Sequence, residues 1–187
     1  SAELKQAWGT SSETVNFDGA LVWIYRQEPF KTIEVTLEEG LVSSIVIYLK
    51  NPIQPDELAE KLNLQALRFV SIRDELGEKL GRSYPERGVS FGLHSVTQEH
   101  VASQILLEPI NSEHFLLRAK NDRKHQYQQN LTDLETTIKL DPKSAEAHNL
   151  KAELLTILRS PVEALVHANR ALELDNNMPR FRLTRAN

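Results

Sequence analysis

The chain has 187 residues, 40% of them hydrophobic and 26% charged, which is the balance of an ordinary globular protein. The net charge is −4 with both signs interspersed, so the composition does not favour binding to nucleic acid or to an anionic membrane. The absence of cysteine excludes disulfides, thiolate metal sites and cysteine nucleophiles, and no apolar run approaches the roughly 20 residues of a membrane-spanning helix.

Residues 1–110 have the pattern of an antiparallel sheet. The apolar run at 21–25, LVWIY, has the composition of a strand. At 32–49, apolar and polar residues alternate on both sides of Gly40, which predicts a hairpin with one buried face and Gly40 in its turn. Pro55, followed by two acidic residues, predicts the start of a helix.

A second hairpin is predicted at 89–107, where apolar and polar residues alternate in the same way. Aligned without a gap, the return strands of the two hairpins carry apolar residues at matching places: Val42, Ile45 and Ile47 in the first, and Ala102, Ile105 and Leu107 in the second. We therefore predict an internal duplication, in which two hairpins flank a helix within one sheet.

The carboxy-terminal third contains a repeated spacing. Asp141 and Asp175 stand 34 residues apart, and each ends an amphipathic segment. Over 145–178, apolar residues recur at helical spacing in two segments of about a dozen residues each. Between these segments lie Ser160 and Pro161, a pair that suits the start of a helix. The pattern predicts two helices joined by a tight turn.

Small residues stand where these two helices would have to approach closely: Ala152, Ala164 and Ala171. The 34-residue period and these alanines resemble the tetratricopeptide repeat (TPR) family. The resemblance implies repeat units at 111–144 and 145–178, and the start of a third unit at residue 179. The first unit departs from the family pattern, because larger or polar residues replace its small ones: Arg118, Asn130 and Thr137.

A second resemblance covers the start of the chain. A Trp-Gly pair at Trp8 follows a short helical segment, and the aromatic strand 21–25 and the hairpin 32–49 come next. This order is similar to the helix-then-meander unit of the β-lactamase-inhibitor-like fold, which small outer-membrane assembly lipoproteins share. The resemblance implies a binding or envelope-associated role for this region.

The sequence therefore predicts an α+β protein with two domains. Residues 1–110 would form an antiparallel β-sheet domain with a duplicated hairpin and one or two helices, and residues 111–187 would form TPR-like α-helical hairpins. No glycine-rich phosphate loop, His-Glu-x-x-His or Gly-x-Ser-x-Gly pattern occurs. We accordingly expect no catalytic residues, no metal ion and no cofactor.

Stacked helix pairs leave a concave surface lined by the first helix of each pair. The candidate partner-binding residues on that surface are Phe115, Asp122, Glu146, Asn149, Glu153 and Arg180. The leading hypothesis is a non-catalytic scaffold or adaptor that binds a protein or peptide and does not bind nucleic acid. An uncapped third repeat would allow a homo-oligomer to form through it.

Two alternatives stay open. In one, the chain is an inhibitor-like or envelope-associated binding module, and residues 1–110 bind the partner. In the other, it is a hydrolase of unknown substrate. The compartment is equally open between the cytoplasm and, if a leader precedes Ser1, a bacterial envelope or periplasm.

Overall fold

The structure, a computed structural model, describes residues 2–96, 99–121, 126–177, 179 and 184. The chain divides into two compact units, a sheet unit at residues 1–110 and a helical unit at residues 111–187. Their described residues give an α+β protein with an eight-stranded antiparallel sheet and six α-helices. In this part of the chain, no helix is both long enough and apolar enough to span a bilayer.

The sheet unit contains two helices and all eight strands of the described chain. In chain order these are α1 (Ala2–Trp8), β1 (Glu13–Phe17), β2 (Ala20–Tyr25), β3 (Phe30–Glu38), β4 (Leu41–Ile53), α2 (Pro55–Lys61), β5 (Val70–Arg73), β6 (Lys79–Tyr84), β7 (Val89–Val96) and β8 (Glu99–Leu107). A single 3₁₀ turn at Pro85–Arg87 joins β6 to β7. The strand order is β1-β2-β3-β4-β8-β7-β6-β5, and every neighbouring pair is antiparallel.

The two halves of the sheet repeat one register. Each long hairpin pairs apolar residues on the same side of the sheet: Ile33–Ile47 and Val35–Ile45 in β3–β4, and Val89–Leu107 and Phe91–Ile105 in β7–β8. Where the halves meet, Val46 lies opposite Leu106. On the two sides of this pair, Ile45 lies opposite Leu107 and Ile47 lies opposite Ile105, so the pairing is symmetric. An approximate two-fold rotation therefore relates the two helix-plus-four-strand halves.

One face of the sheet carries two buried clusters, one in each half. The first consists of Tyr25, Ile33, Val35 and Leu37, and Leu4 of α1 packs against it. The second consists of Leu58, Ala59, Leu64, Tyr84, Phe91, Ala102 and Ile105, and so contains residues of α2. Because side chains alternate between the faces of a strand, the period-two pattern puts these residues on one side. Each half is thus covered by the helix that precedes it.

The helical unit contains α3 (Glu113–Asn121), α4 (Tyr127–Leu140), α5 (Ala145–Ile157) and α6 (Pro161–Leu174). The Ser144 side chain caps α5 by accepting a hydrogen bond from the Ala147 N–H at 3.3 Å. Pro161 lies in the first turn of α6, where its missing N–H costs nothing. Ser160 precedes it without making a side-chain cap.

The two pairs of helices pack by different chemistry. Alanines are buried in α5 and α6: Ala147, Ala152, Ala164, Ala168 and Ala171. Between α3 and α4, Arg118 donates from Nε to Asp133 Oδ2 at 3.0 Å and from Nη2 to Asp133 Oδ1 at 2.6 Å. Asn130 and Thr137 are buried on α4 as well. The α3–α4 contact thus contains a buried ion pair beside apolar packing, in which Ala119 of α3 and Leu134 of α4 belong to one buried cluster.

The assignment of residues 111–187 to the TPR family is wrong. The described chain has an eight-stranded sheet followed by four helices, not an array of helical repeats. A repeat array buries a continuous core across about three or more stacked units, which share one contact pattern. Here Arg118, Asn130 and Thr137 are buried at the positions where the family has small residues. The two helix pairs therefore do not share one contact pattern, and the 34-residue spacing records only amphipathic helices. The third unit predicted from residue 179 lies almost entirely outside the described residues.

The resemblance of the first 49 residues to the β-lactamase-inhibitor-like fold is also wrong as a family assignment. A tryptophan after a short helix, an aromatic strand and a tight hairpin occur in many antiparallel sheets, so they do not specify a family. The structure gives the coarser result, which is one sheet of eight strands built from two similar halves.

Candidate functional site

A cleft of about 650 Å³ opens on the helix-covered face of the sheet unit, over β4 and β8. Its apolar lining comes from three neighbouring strands, from β3 and from α2 with the turn after it: Phe30, Ile47, Leu49, Leu58, Leu62, Leu64, Val89, Ile105 and Leu107. Its polar lining consists of Lys61, Asn63 and Arg87. Pockets that hold small molecules have volumes of roughly 300–1,000 Å³ and mostly apolar walls, so this cleft has the size and character of a ligand site.

The sheet supplies the floor of the cleft through its register. Ile47 and Leu49 are two residues apart on β4, and Ile105 and Leu107 are two apart on β8, so all four face the same side. Ile47 lies directly opposite Ile105 in the ladder. The floor therefore lies where the two halves of the sheet meet.

The end of α2 forms one wall. Leu58 is buried inside the helix contact, whereas Leu62 is 40% exposed just beyond the helix. The chain then turns sharply, because Asn63 takes a left-handed φ of 54° and the Leu64 N–H donates back to the Ala59 carbonyl at 2.8 Å. This turn presents Leu62 and Leu64 to the cleft.

Arg87 stands at the rim because of the turn between β6 and β7. It is the last residue of the 3₁₀ turn, and Gly88 follows it in the left-handed region at φ 58°. The Gly88 carbonyl accepts a hydrogen bond from the Glu108 N–H at 2.9 Å, which ties the turn to the end of β8. Arg87 itself is exposed and has no hydrogen-bond or ion-pair partner within the described part of the chain.

Lys61 is the second cation at the rim. Its Nζ lies 2.9 Å from Glu57 Oε1, one helical turn away, and 61% of its side chain is exposed. An exposed pair of this kind contributes only about 0.3–0.5 kcal/mol, so a ligand anion can compete for Lys61 at little cost. The cleft thus has an apolar interior and two positively charged groups at its mouth.

The cleft lining brings together no nucleophile with a base. Its polar groups are one ammonium, one amide and one guanidinium. Among the described residues, no group of three or more His, Asp or Glu side chains is arranged to hold a metal ion. The arrangement can bind and orient a ligand, and the expectation that the chain is not an enzyme stays a prediction.

The partner-binding residues predicted from the sequence lie in the helical unit. Phe115 is buried and lies with its ring 5.5 Å from the Arg118 guanidinium. Asn149 is fully buried and donates to Glu153 Oε1 at 2.6 Å. Glu146 lies on α5, where its Oε1 is 3.1 Å from Lys120 Nζ.

Among the predicted residues, Asn149 and Glu153 therefore contact each other. Phe115 and Glu146 instead contact residues outside the predicted set. Asp122 and Arg180 lie outside the described residues. The partner-binding role of the set stays a prediction.

The helical unit also contains a histidine pair that the sequence analysis did not single out. Nδ1 of His148 on α5 lies 2.9 Å from Nδ1 of His167 on α6. His148 Nε2 lies 3.4 Å from the Pro142 carbonyl and can donate only to it, so His148 Nδ1 accepts and His167 Nδ1 donates. The hydrogen bond therefore requires one of the two facing Nδ1 atoms to carry no proton, and full protonation of both rings would break it.

The pKa of His167 is lowered to about 4, chiefly by burial and also by the positive charges of Lys151 and His148, against an opposing effect of Glu135. Burial is also the main cause that lowers the pKa of His148. Around His148, Arg170 and Lys151 favour the neutral ring, whereas the Pro142 carbonyl and Asp141 favour the charged one. Both rings are therefore held neutral in the folded helical unit near neutral pH.

This pair predicts a stability that depends on pH. Below pH 6.5, the unfolded chain takes up protons that folded His167 resists until about pH 4, so the free energy of unfolding falls through this window. Because His167 is partly accessible to solvent, we expect a loss of about 1–2 kcal/mol rather than the full effect of the shift. The measurement is urea unfolding followed by circular dichroism at several pH values. His167→Gln should flatten the profile, and an equally steep profile in this variant would contradict the assignment.

No protein-family model matches the chain, and no curated protein matches it. Among solved structures, it is similar to a cysteine-rich secretory protein from Staphylococcus aureus subsp. aureus Mu50, with 15% identity and a TM-score of 0.35 over 83% of this chain and 57% of that one. It is also similar to an extracellular protein containing an SCP domain from Bacillus anthracis str. Ames, with 12% identity and a TM-score of 0.33 over 89% of this chain and 72% of that one.

This chain thus spans less than two thirds of the staphylococcal protein. Neither of these two solved structures is described as a member of the two families inferred from the sequence. At TM-scores of 0.35 and 0.33 the likeness carries no argument about function. The function has to be argued from the cleft itself.

Proposed function

We propose that the chain is a non-catalytic binding protein in which the sheet unit holds a small, predominantly apolar ligand. The observation that carries this proposal is the cleft of about 650 Å³ with nine apolar lining residues. A protein buries large apolar side chains where it can, because each one removed from water contributes about 1.5–3 kcal/mol. A concave apolar surface over the centre of a sheet is therefore a place where a bound molecule replaces water favourably.

This proposal develops the alternative in which residues 1–110 bind the partner. The lining groups support binding rather than a reaction, since Lys61, Asn63 and Arg87 stand at the edge of an otherwise apolar surface.

The test is the binding of an uncharged, polarity-sensitive dye such as Nile red to the full chain. We expect saturable binding at one site per chain. Val89→Trp should weaken it by about tenfold or more, because Val89 lines the cleft and an indole there would fill it. The readout is the fluorescence titration of each protein.

Val46→Trp is the matched control. Val46 is also half-buried on a central strand, but it alternates with Ile45 and Ile47 and so faces the opposite side of the sheet. We expect its dye binding to equal that of the unmodified chain. Saturable binding that neither variant changes, or that both weaken alike, would place the dye elsewhere and refute the proposal.

A further inference from the structure

We propose that the ligand of the cleft is a single-chain carboxylate amphiphile, with its hydrocarbon chain on the apolar floor and its carboxylate held by Arg87 together with Lys61. This inference rests on the proposed function and adds the chemical class of the ligand. It follows from two features of the cleft, which are the absence of backbone partners in its floor and the charge at its mouth.

The floor disfavours a peptide as the occupant. It is formed by the faces of β4, β8 and β7, all of which are interior strands of the sheet. Their backbone N–H and C=O groups point along the sheet and are engaged in the ladder with strands on both sides. A peptide lying there would bury its own amide groups without hydrogen-bond partners, which is unfavourable.

A hydrocarbon chain has no polar group along its length, so it avoids this cost. The nine apolar lining residues contact such a chain on several sides, and the single amide among the lining groups is Asn63, which is exposed. The cleft therefore suits a long apolar chain whose polar group lies at one end only.

The mouth selects an anionic end group. Arg87 has no partner within the described part of the chain, and the Lys61 pair with Glu57 is exposed and weak. A guanidinium presents its N–H groups in a planar fork that matches both oxygens of a carboxylate. Among the described residues, the lining of the cleft holds two cations and no carboxylate, although the chain has a net charge of −4.

A carboxylate fits this mouth better than a phosphate does. Lys61 is the last residue of α2, so the ligand head lies near the carboxyl end of that helix. The helix dipole at that end is negative and opposes a doubly charged group more than a singly charged one. Phosphate sites also commonly use backbone N–H groups at a helix amino end, and this mouth lies at the other end of α2.

The test compares ligands with one chain and different ends, each used below its micelle concentration. Dodecanoate, 1-dodecanol and dodecyltrimethylammonium would each displace Nile red from the full chain. We expect dodecanoate to bind about tenfold more tightly than the alcohol, and the cation to bind most weakly. Arg87→Gln should weaken dodecanoate by about fivefold to tenfold and leave the alcohol unchanged.

Arg26→Gln is the matched control, because Arg26 is an exposed arginine of the same unit that does not line the cleft. Equal affinity for the acid, the alcohol and the cation would overturn the carboxylate assignment while leaving an apolar site in place. Displacement by a tetraleucine peptide with higher affinity than dodecanoate would overturn it as well. If none of the amphiphiles displaces the dye and the dye itself does not saturate, the proposed function fails together with this inference.

Discussion

Replacing Asp133 with alanine is expected to lower the free energy of unfolding of the helical unit by about 3–5 kcal/mol. Asp133 and Arg118 form a two-pronged ion pair between α4 and α3, and each side chain is only 5% exposed. Without the carboxylate, the Arg118 guanidinium stays buried beside an apolar cavity. The expected loss of stability arises because a charge already removed from water loses its counter-ion, and it does not measure the strength of the ion pair itself.

The double variant Arg118→Leu/Asp133→Leu distinguishes these two origins. Removing both charges together leaves no buried ion without its counter-ion, so we expect the double variant to recover most of the loss. Glu173→Ala is the matched surface control, because the Arg170–Glu173 pair on α6 is 46% and 65% exposed. It should change stability by less than about 1 kcal/mol.

Urea unfolding followed by circular dichroism at 222 nm measures these variants, since four of the six described helices lie in this unit. A loss below about 1 kcal/mol for Asp133→Ala would show that Arg118 finds other compensation and would contradict the prediction.

The antiparallel sheet was predictable because its signal is local. Apolar and polar residues alternate over several residues in each long hairpin, and a buried face allows no other register. The prediction therefore placed both hairpins, and β2 at Ala20–Tyr25, on the correct parts of the chain. It missed β5 and β6, because the charged run from Arg73 to Gly81 has the composition of a helical turn. In the structure Asp74 instead closes a turn, accepting hydrogen bonds from the N–H groups of Leu76 and Glu78.

The family of the helical part could not be predicted from its spacing. Caps, alanines and helical periodicity determine that amphipathic helices form and pack, but they do not determine what the pairs pack against. The polar residues at Arg118, Asn130 and Thr137 were the discordant signal. All three are buried, at positions where a regular repeat has small residues.

The cleft could not be recognised from the sequence because its lining has the pattern of an ordinary core. The pattern predicts Ile47, Leu49 and Leu107 as inward-facing strand residues. Nothing in the local sequence distinguishes a position that other side chains cover from one that they leave open. Arg87 lies in the string RSYPERG, where Tyr84-Pro85 and Gly88 indicate a turn and nothing local marks a ligand contact. The turn is present, but Arg87 has no partner within the described part of the chain.

Gly88→Ala is expected to cost the sheet unit at least about 3 kcal/mol of folding free energy. A Cβ at this position would lie 2.0 Å from the Glu108 carbonyl oxygen, and this oxygen belongs to the backbone, so it cannot rotate aside as the end of a side chain can. The left-handed φ of 58° adds strain for any residue with a side chain. Because Arg87 precedes Gly88, the substitution should also move the guanidinium and weaken dodecanoate binding.

Substitutions at two other glycines distinguish the effect of the steric clash of the Cβ from the effect of the left-handed backbone. Gly40 has a φ of 80° with nothing within 4 Å of its virtual Cβ, so Gly40→Ala should cost only about 1 kcal/mol. At Gly92 a Cβ would lie 2.3 Å from Nε2 and 2.4 Å from Cγ of Gln104, so Gly92→Ala requires that side chain to leave its rotamer and should cost more than Gly40→Ala. Both tryptophans of the chain, Trp8 and Trp23, lie in the sheet unit, so tryptophan fluorescence during urea unfolding reports on this unit. Equal losses of stability for Gly88→Ala and Gly40→Ala would show that backbone strain alone causes the loss and that the turn can move to accommodate a Cβ. A turn that moves in this way would not hold Arg87 at the cleft.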